Sequence, residues 1–205
     1  MKLYYSPAAC SLSPHIALEA AGLAYTTVRV DVRAQPHTTE HGTLMTDINP
    51  KDYVPALEIA EGQVLTEGPA IVQYIADQAP ERELAPPAGT LARYRLQEWL
   101  NFIATEIHKG FSPLFYPGTP EAQKTAARER LEGRFAYLEK QLAEAPYLMG
   151  ERFTVADGYL FTCLNWCNYL KMPLEGFPVL GAYMARVSAL PYVQAALRAE
   201  GLLKG

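Results

Sequence analysis

The sequence predicts two domains of different class: an α/β domain over residues 1–80 and an all-α domain over 91–205, joined by a linker at 81–90. Three observations carry that division. The residues before 80 mix short β-branched and aromatic runs with helical stretches, whereas the periodicity beyond residue 90 is helical throughout. Between them lie Pro80, Pro86, Pro87 and Gly89, which fix or free the backbone without serving either regular element. The length, 205 residues of which 49% are hydrophobic, suffices for two modest cores.

Lys2-Leu3-Tyr4-Tyr5 reads as the opening strand, broken by Ser6-Pro7-Ala8-Ala9 before a helix that starts near Ser11 and runs to about Ala21. Gly22 is a left-handed C-cap candidate. Tyr25 to Val30 is a second strand by its β-branched and aromatic content. The polar stretch from Asp31 to Thr46 carries weak helical potential. Val54 to Ile59 and Gln63 to Thr66 form two short strands around a Glu61-Gly62 turn, and a helix from Gly68 to Ala79 closes this half. The order β-α-β then α-β-β-α gives a small mixed sheet with helices on its faces. Pro55 has no N–H for a ladder and fits a strand start. Residue statistics alone favour a trans Val54–Pro55 bond.

In the second half a helix from Leu91 to about Gly110 carries Leu96, Trp99, Leu100, Phe102, Ile103 and Ile107. Glu98, Asn101, Thr105 and His108 recur on one face of it. Such a stripe either meets solvent, which periodicity slightly favours, or lines a polar cleft. Lys109 beside His108 pulls toward the cleft, because both donate hydrogen bonds to an anion. Ala127, Leu131, Phe135, Leu138 and Leu142 make an amphipathic face. Thr154-Val155-Ala156-Asp157 has capping-box spacing and reads as structural. Pro178 and Pro191 punctuate two short final helices.

The chemistry centres on Cys10. A cysteine where a strand gives way to a helix faces unpaired N–H groups and the positive end of the helix dipole. Both favour the reactive thiolate. Ser13 stands where a second redox cysteine would be, so the site needs an external thiol to complete a cycle. The competing reading of Cys10 is a small buried hydrophobe. Tyr5 and Ser6 rank below it as activating groups. Cys163 and Cys167 read as core residues beside Trp166, and two thiols fall short of a zinc set. His37 and His41 lie in a polar loop without zinc-protease character. Scattered basic residues and a net charge of -4 exclude nucleic-acid binding. No apolar run is long enough for a bilayer, no signal peptide is recognisable, and three irregularly spaced cysteines make no disulfide framework. A cytoplasmic location is expected.

Taken in order, several stretches resemble one family. They are Met1-Lys2-Leu3-Tyr4-Tyr5, Ala9-Cys10-Ser11-Leu12-Ser13-Pro14-His15-Ile16, Asn49-Pro50-Lys51 with Tyr53-Val54-Pro55, Leu65-Thr66-Glu67-Gly68, and Ala70-Ile71-Val72-Gln73-Tyr74. Glu98-Trp99-Leu100-Asn101-Phe102-Ile103, Glu106-Ile107-His108-Lys109-Gly110-Phe111 and Phe153-Thr154-Val155-Ala156-Asp157 continue them. From end to end the chain resembles the bacterial beta-class glutathione S-transferases. The resemblance implies a thioredoxin-like N-terminal domain, a C-terminal helical bundle and a homodimer, with glutathione as co-substrate and no metal. It makes Cys10 the thiol facing the glutathione sulfur, with His108 reaching into the cleft. The Cys10 S–H, the Ser11 hydroxyl and a protonated His108 are then the three donors available to that sulfur. Val54 would pair its backbone with the cysteinyl unit beside a cis Pro55. Glu67 and Gly68 would hold the γ-glutamyl end, and Lys109, Asn101 and Thr105 would contribute from the second domain. Trp166 would wall the electrophile side, with Phe115 a second candidate there. The stripe on the long helix then faces a cleft.

Three departures stand out. Ala8 and Asp52 occupy positions where the family commonly has glycine, and the segment Arg33 to Thr38 lacks a lysine often found there. Arg33, Gln35 or His37 would then meet the glycine carboxylate. The expected activity is attack of the glutathione thiol on small apolar electrophiles, with Cys10 also capable of a glutathione mixed disulfide. The alternatives are a glutathione-dependent thiol–disulfide reductase or peroxidase, and a non-catalytic carrier of apolar ligands.

Overall fold

The computed structural model describes residues 1–203, and Lys204 and Gly205, the end of the expected second domain, lie outside them. Strand β1 (Lys2–Tyr5) runs parallel to β2 (Thr26–Asp31) and antiparallel to β4 (Ala56–Ala60), with Leu3 opposite Thr27 on one side and Leu57 on the other. A hairpin adds β5 (Gln63–Thr66), and the two-residue β3 (Thr38–Thr39) closes the far edge, giving the order β3-β2-β1-β4-β5. The short β3 and helix α2 (Met45–Ile48) replace the weak helix expected between Asp31 and Thr46.

Alternation along the strands sorts side chains between two faces. Tyr4, Val28, Val30, Met45, Val54 and Ala56 form a small cluster on one face. The other face carries Leu3 and Leu57 into the main core, against α1 (Leu12–Ala21) and α3 (Gly68–Asp77). Gly22 caps α1 at φ 67° as expected, its N–H reaching Glu19 and Leu18 carbonyls. Val54–Pro55 is cis, as the resemblance implies and against the reading from residue statistics. Gln35–Pro36 is cis as well, which the sequence did not signal.

The long helix expected from Leu91 to Gly110 is three pieces: α4 (Leu91–Phe102), a π-helical segment (Ile103–His108) and α5 (Lys109–Phe115). A π turn holds more than four residues, so it rotates His108 and Lys109 away from the line that 3.6-residue spacing draws through Glu98 and Asn101. Helices α6 (Glu121–Leu142), α7 (Val155–Leu170), α8 (Pro178–Ser188) and α9 (Pro191–Ala199) follow. The five apolar positions expected on α6 are its buried ones. Pro178 and Pro191 open α8 and α9, where a missing N–H is harmless. Glu139 accepts from the Val179 and Leu180 N–H groups at 2.8 Å each and so caps α8 from α6.

Both halves share one core. Leu3, Ile16 and Leu57 from the sheet side belong to the same cluster as Leu100, Leu160 and Phe111 from the helices. Helix α7 is buried along most of its length and packs on α1. The linker is tied at both ends: Arg93 pairs with Asp77 and donates to the Pro86 carbonyl, and the Val155 N–H reaches Leu84. Among the described residues no helix is long and apolar enough to cross a membrane.

Candidate active site

The turn before α1 is built by two serines and one alanine. Ser11 Oγ accepts from the Ser6 N–H at 3.0 Å and donates to the Ser6 carbonyl at 3.1 Å, and both residues are buried. Ala8 sits at φ 63°, the left-handed geometry that its glycine-like position requires. Its peptide groups are held from the helical half. The Ala8 N–H donates to Glu200 at 2.9 Å, and Trp166 Nε1 donates to the Ala8 carbonyl at 2.8 Å. The second Glu200 oxygen lies 2.9 Å from His15 Nδ1, and both side chains are buried.

Cys10 lies in this lead-in turn, two residues before the first residue of α1, and Ser11 is the N-cap. Its Sγ–H donates to the Val54 carbonyl at 3.3 Å, beside cis Pro55. The neutral thiol, and not the expected thiolate, is the favoured form of Cys10. Burial outweighs the neighbouring N–H groups and the Lys109 charge, and pushes the thiol up to about 11. The residue is half-buried, and the packing around it weakens the solvation that would stabilise a charge on its sulfur. At pH 7 only about one molecule in ten thousand then carries the thiolate. Alkylation of Cys10 by iodoacetamide, followed by intact mass against pH, is therefore expected to rise roughly tenfold per unit from pH 7 to 10. A plateau below pH 8 would contradict it.

Glu67 is the N-cap of α3 at φ 69° and ψ 114°, a strained setting for a non-glycine residue. Its carboxylate meets Lys51 Nζ at 2.5 Å and the Tyr53 hydroxyl at 2.5 Å, and Lys51 and Tyr53 hold it below the usual carboxylate range. Gly68 follows with open space where a side chain would stand.

Across from this edge come the helical residues. His108 shares a 2.7 Å hydrogen bond with the Tyr159 hydroxyl and packs edge-on to Trp166 at 5.0 Å. Burial, helped by Lys109, pushes its imidazole down to about 4, so at neutral pH it is uncharged. Of the three donors open to the glutathione sulfur, the protonated His108 is therefore removed at neutral pH. Lys109 is exposed and its charge acts on Cys10, His108 and Glu67 together, which puts it among them. Trp166 is buried, and Phe115, 46% exposed, stands edge-on to it at 5.4 Å.

Asn101 and Thr105 are exposed, and the Thr105 hydroxyl turns back onto the Asn101 carbonyl at 3.1 Å. Glu98, also exposed, pairs with Arg95 at 2.7 Å. The structure thus brings Cys10, Val54, Pro55, Glu67, Gly68, His108, Lys109, Trp166 and Phe115 into one neighbourhood, and gives Asn101 and Thr105 no side-chain bond to it. Asp52, at φ 58°, accepts from the His37 ring at 2.9 Å through its carbonyl. Sequence reading missed Tyr159 and Glu200 at the site; a lone tyrosine or a glutamate 192 residues from its partner gives no local signal.

A lone cysteine beside a cis proline in a thioredoxin-like sheet, faced by a helical bundle, defines a class of thiol-handling enzyme. Residues 1–77 match the glutathione S-transferase N-terminal domain, and residues 102–191 the C-terminal domain. Glutathione S-transferase GstA of Escherichia coli O157:H7 is 48% identical over 98% of this chain and 100% of its own. The structure described as a ternary complex of BphK, a bacterial GST, superposes with a TM-score of 0.96 at 51% identity, covering 98% and 100% of the two chains. A beta-class transferase of Sphingomonas chungbukensis gives 0.95 at 45% identity, covering 99% and 100%. The chain belongs to the glutathione S-transferase family.

Proposed function

We propose that this chain joins glutathione to small apolar electrophiles, and that Cys10 also exchanges with glutathione disulfides. The observation that carries the reading is the Cys10 S–H donating to the Val54 carbonyl. That carbonyl is the acceptor which the cysteinyl N–H of glutathione would take. Binding then frees the Cys10 S–H to donate to the glutathione sulfur, favouring its thiolate, with Lys109 adding positive charge nearby. The thiolate displaces the leaving group of the electrophile, and the bound thiol's proton passes to solvent. A thiol is a weak donor, so the conjugating rate is modest. In exchange, the Cys10 thiol gives its proton to solvent as its sulfur attacks a disulfide of glutathione. The mixed disulfide forms, the old S–S bond breaks, and the other half leaves as a thiolate that takes up a proton.

Glu67 and Gly68 take the γ-glutamyl end in this reading, Val54 and Pro55 the cysteinyl unit, and Lys109 the anionic side of the tripeptide. Asn101 and Thr105 are peripheral contacts. Trp166 and Phe115 wall the electrophile side, and neutral His108 is a hydrogen-bonding group there. His37, held by Asp52, is the candidate for the glycine carboxylate. The domain limits are 1–80 and 91–205, supported by the two family matches. Exposed Leu91 and Tyr94 on α4 support a homodimer, and three free thiols support a reducing cytoplasm.

The test is turnover. Glutathione with chlorodinitrobenzene, and separately with hydroxyethyl disulfide, should each give rates that saturate in glutathione. Absence of both would leave only the carrier reading.

A further inference from the structure

Two side chains bound to Glu67 at the start of α3, Lys51 and Tyr53, have no part in the binding described above. Lys51 Nζ lies 2.5 Å from Glu67 Oε1 and 3.1 Å from Thr66 Oγ1, while Tyr53 donates to the same Glu67 oxygen. The Lys51 and Glu67 side chains are 48% and 53% exposed, so the pair is open to an arriving ligand. The Lys51 ammonium also stands 6.0 Å from the Tyr53 ring centroid, which keeps the three groups together.

Glu67 therefore already holds one cation. An ammonium arriving alone sets two cations against one carboxylate. A carboxylate arriving alone competes with Glu67 for Lys51. A head bearing both charges on one carbon avoids both conflicts, because the four charges then alternate. We infer that Lys51 is a specificity-determining binding residue, taking the α-carboxylate of a γ-glutamyl head while Glu67 takes its α-ammonium. The edge thus selects a zwitterionic amino-acid terminus over ligands carrying either charge alone. The inference rests on the reading that the γ-glutamyl end of glutathione lies at Glu67.

Calorimetric titration with three probes tests it: glutathione, its decarboxylated analogue (γ-aminobutyryl-cysteinylglycine), and its deaminated analogue (glutaryl-cysteinylglycine). The wild type should prefer glutathione to each analogue by about tenfold. In Lys51→Met the preference over the decarboxylated analogue should shrink to within about twofold, while the preference over the deaminated one persists; Lys51→Arg should restore both. A Lys51→Met protein that still rejects the decarboxylated analogue overturns the inference. Glu67→Gln separates the two layers. If it keeps rejecting the deaminated analogue, the placement of the γ-glutamyl end at Glu67 is itself wrong, and the role of Lys51 goes with it.

Discussion

Cys10→Ala is expected to abolish the single glutathionyl adduct that the wild type takes from oxidised glutathione, as read by intact mass. Disulfide exchange should fall by on the order of a hundredfold or more, because no other thiol can take over. Cys163 is fully buried and Cys167 4% exposed, and burial pushes both thiols up. Conjugation should fall less, by about tenfold at most, since a thiol donor contributes no more than about 1.4 kcal/mol to the glutathione thiolate. The two activities therefore separate in one variant. Adduct formation persisting in Cys10→Ala, at Cys163 or Cys167, would move the chemistry to α7 and end the present assignment.

The second large effect is on stability. Asp157 is buried, and its carboxylate accepts from the Thr154 N–H at 2.8 Å, the Thr154 hydroxyl at 2.9 Å and the Leu148 N–H at 2.9 Å. The Tyr183 hydroxyl adds a fourth donor at 3.2 Å. Asp157→Ala removes the capping box of α7 and leaves these donors without an acceptor, at a cost of about 3–5 kcal/mol. For a chain of this size that is a fall in Tm on the order of 10 °C. Burial raises the Asp157 carboxyl from 3.8 to about 6, so its native form binds the proton more readily than the unfolded one. The stability linked to that proton is full below the unfolded value and lost as pH rises through about 6. The gap between wild type and Asp157→Ala in thermal melts should accordingly widen from pH 7 to pH 5. A Tm within about 2 °C of wild type at both would show that the cap is dispensable.

Much of this architecture was legible because its signals are local. The strand Lys2–Tyr5, the Gly22 cap, the Thr154–Asp157 box and the α6 face each lie within one or two turns of chain, where periodicity and capping chemistry act. The π segment at Ile103–His108 escaped because α and π turns share composition and differ only in which carbonyl each N–H finds. The resemblance supplied the cis bond at Pro55, which composition alone placed in the majority form. At the site the residue types were readable but their ionisation was not. Cys10 has the expected N–H groups nearby, yet the loss of water from its sulfur is larger, and that loss is set by side chains distant in sequence. His108 fails in the same way, since its neutrality comes from enclosure beside Tyr159 and Trp166.

The Ala8 peptide has a consequence for biosynthesis. Its two hydrogen bonds come from Trp166 and Glu200, so the reactive turn is finished by residues that leave the ribosome 158 and 192 positions later. A nascent chain has its sheet long before it has this clamp. The thiol cradle is thus completed only once α9 has been made, and damage at the end of α9 reaches the chemistry beside the sheet.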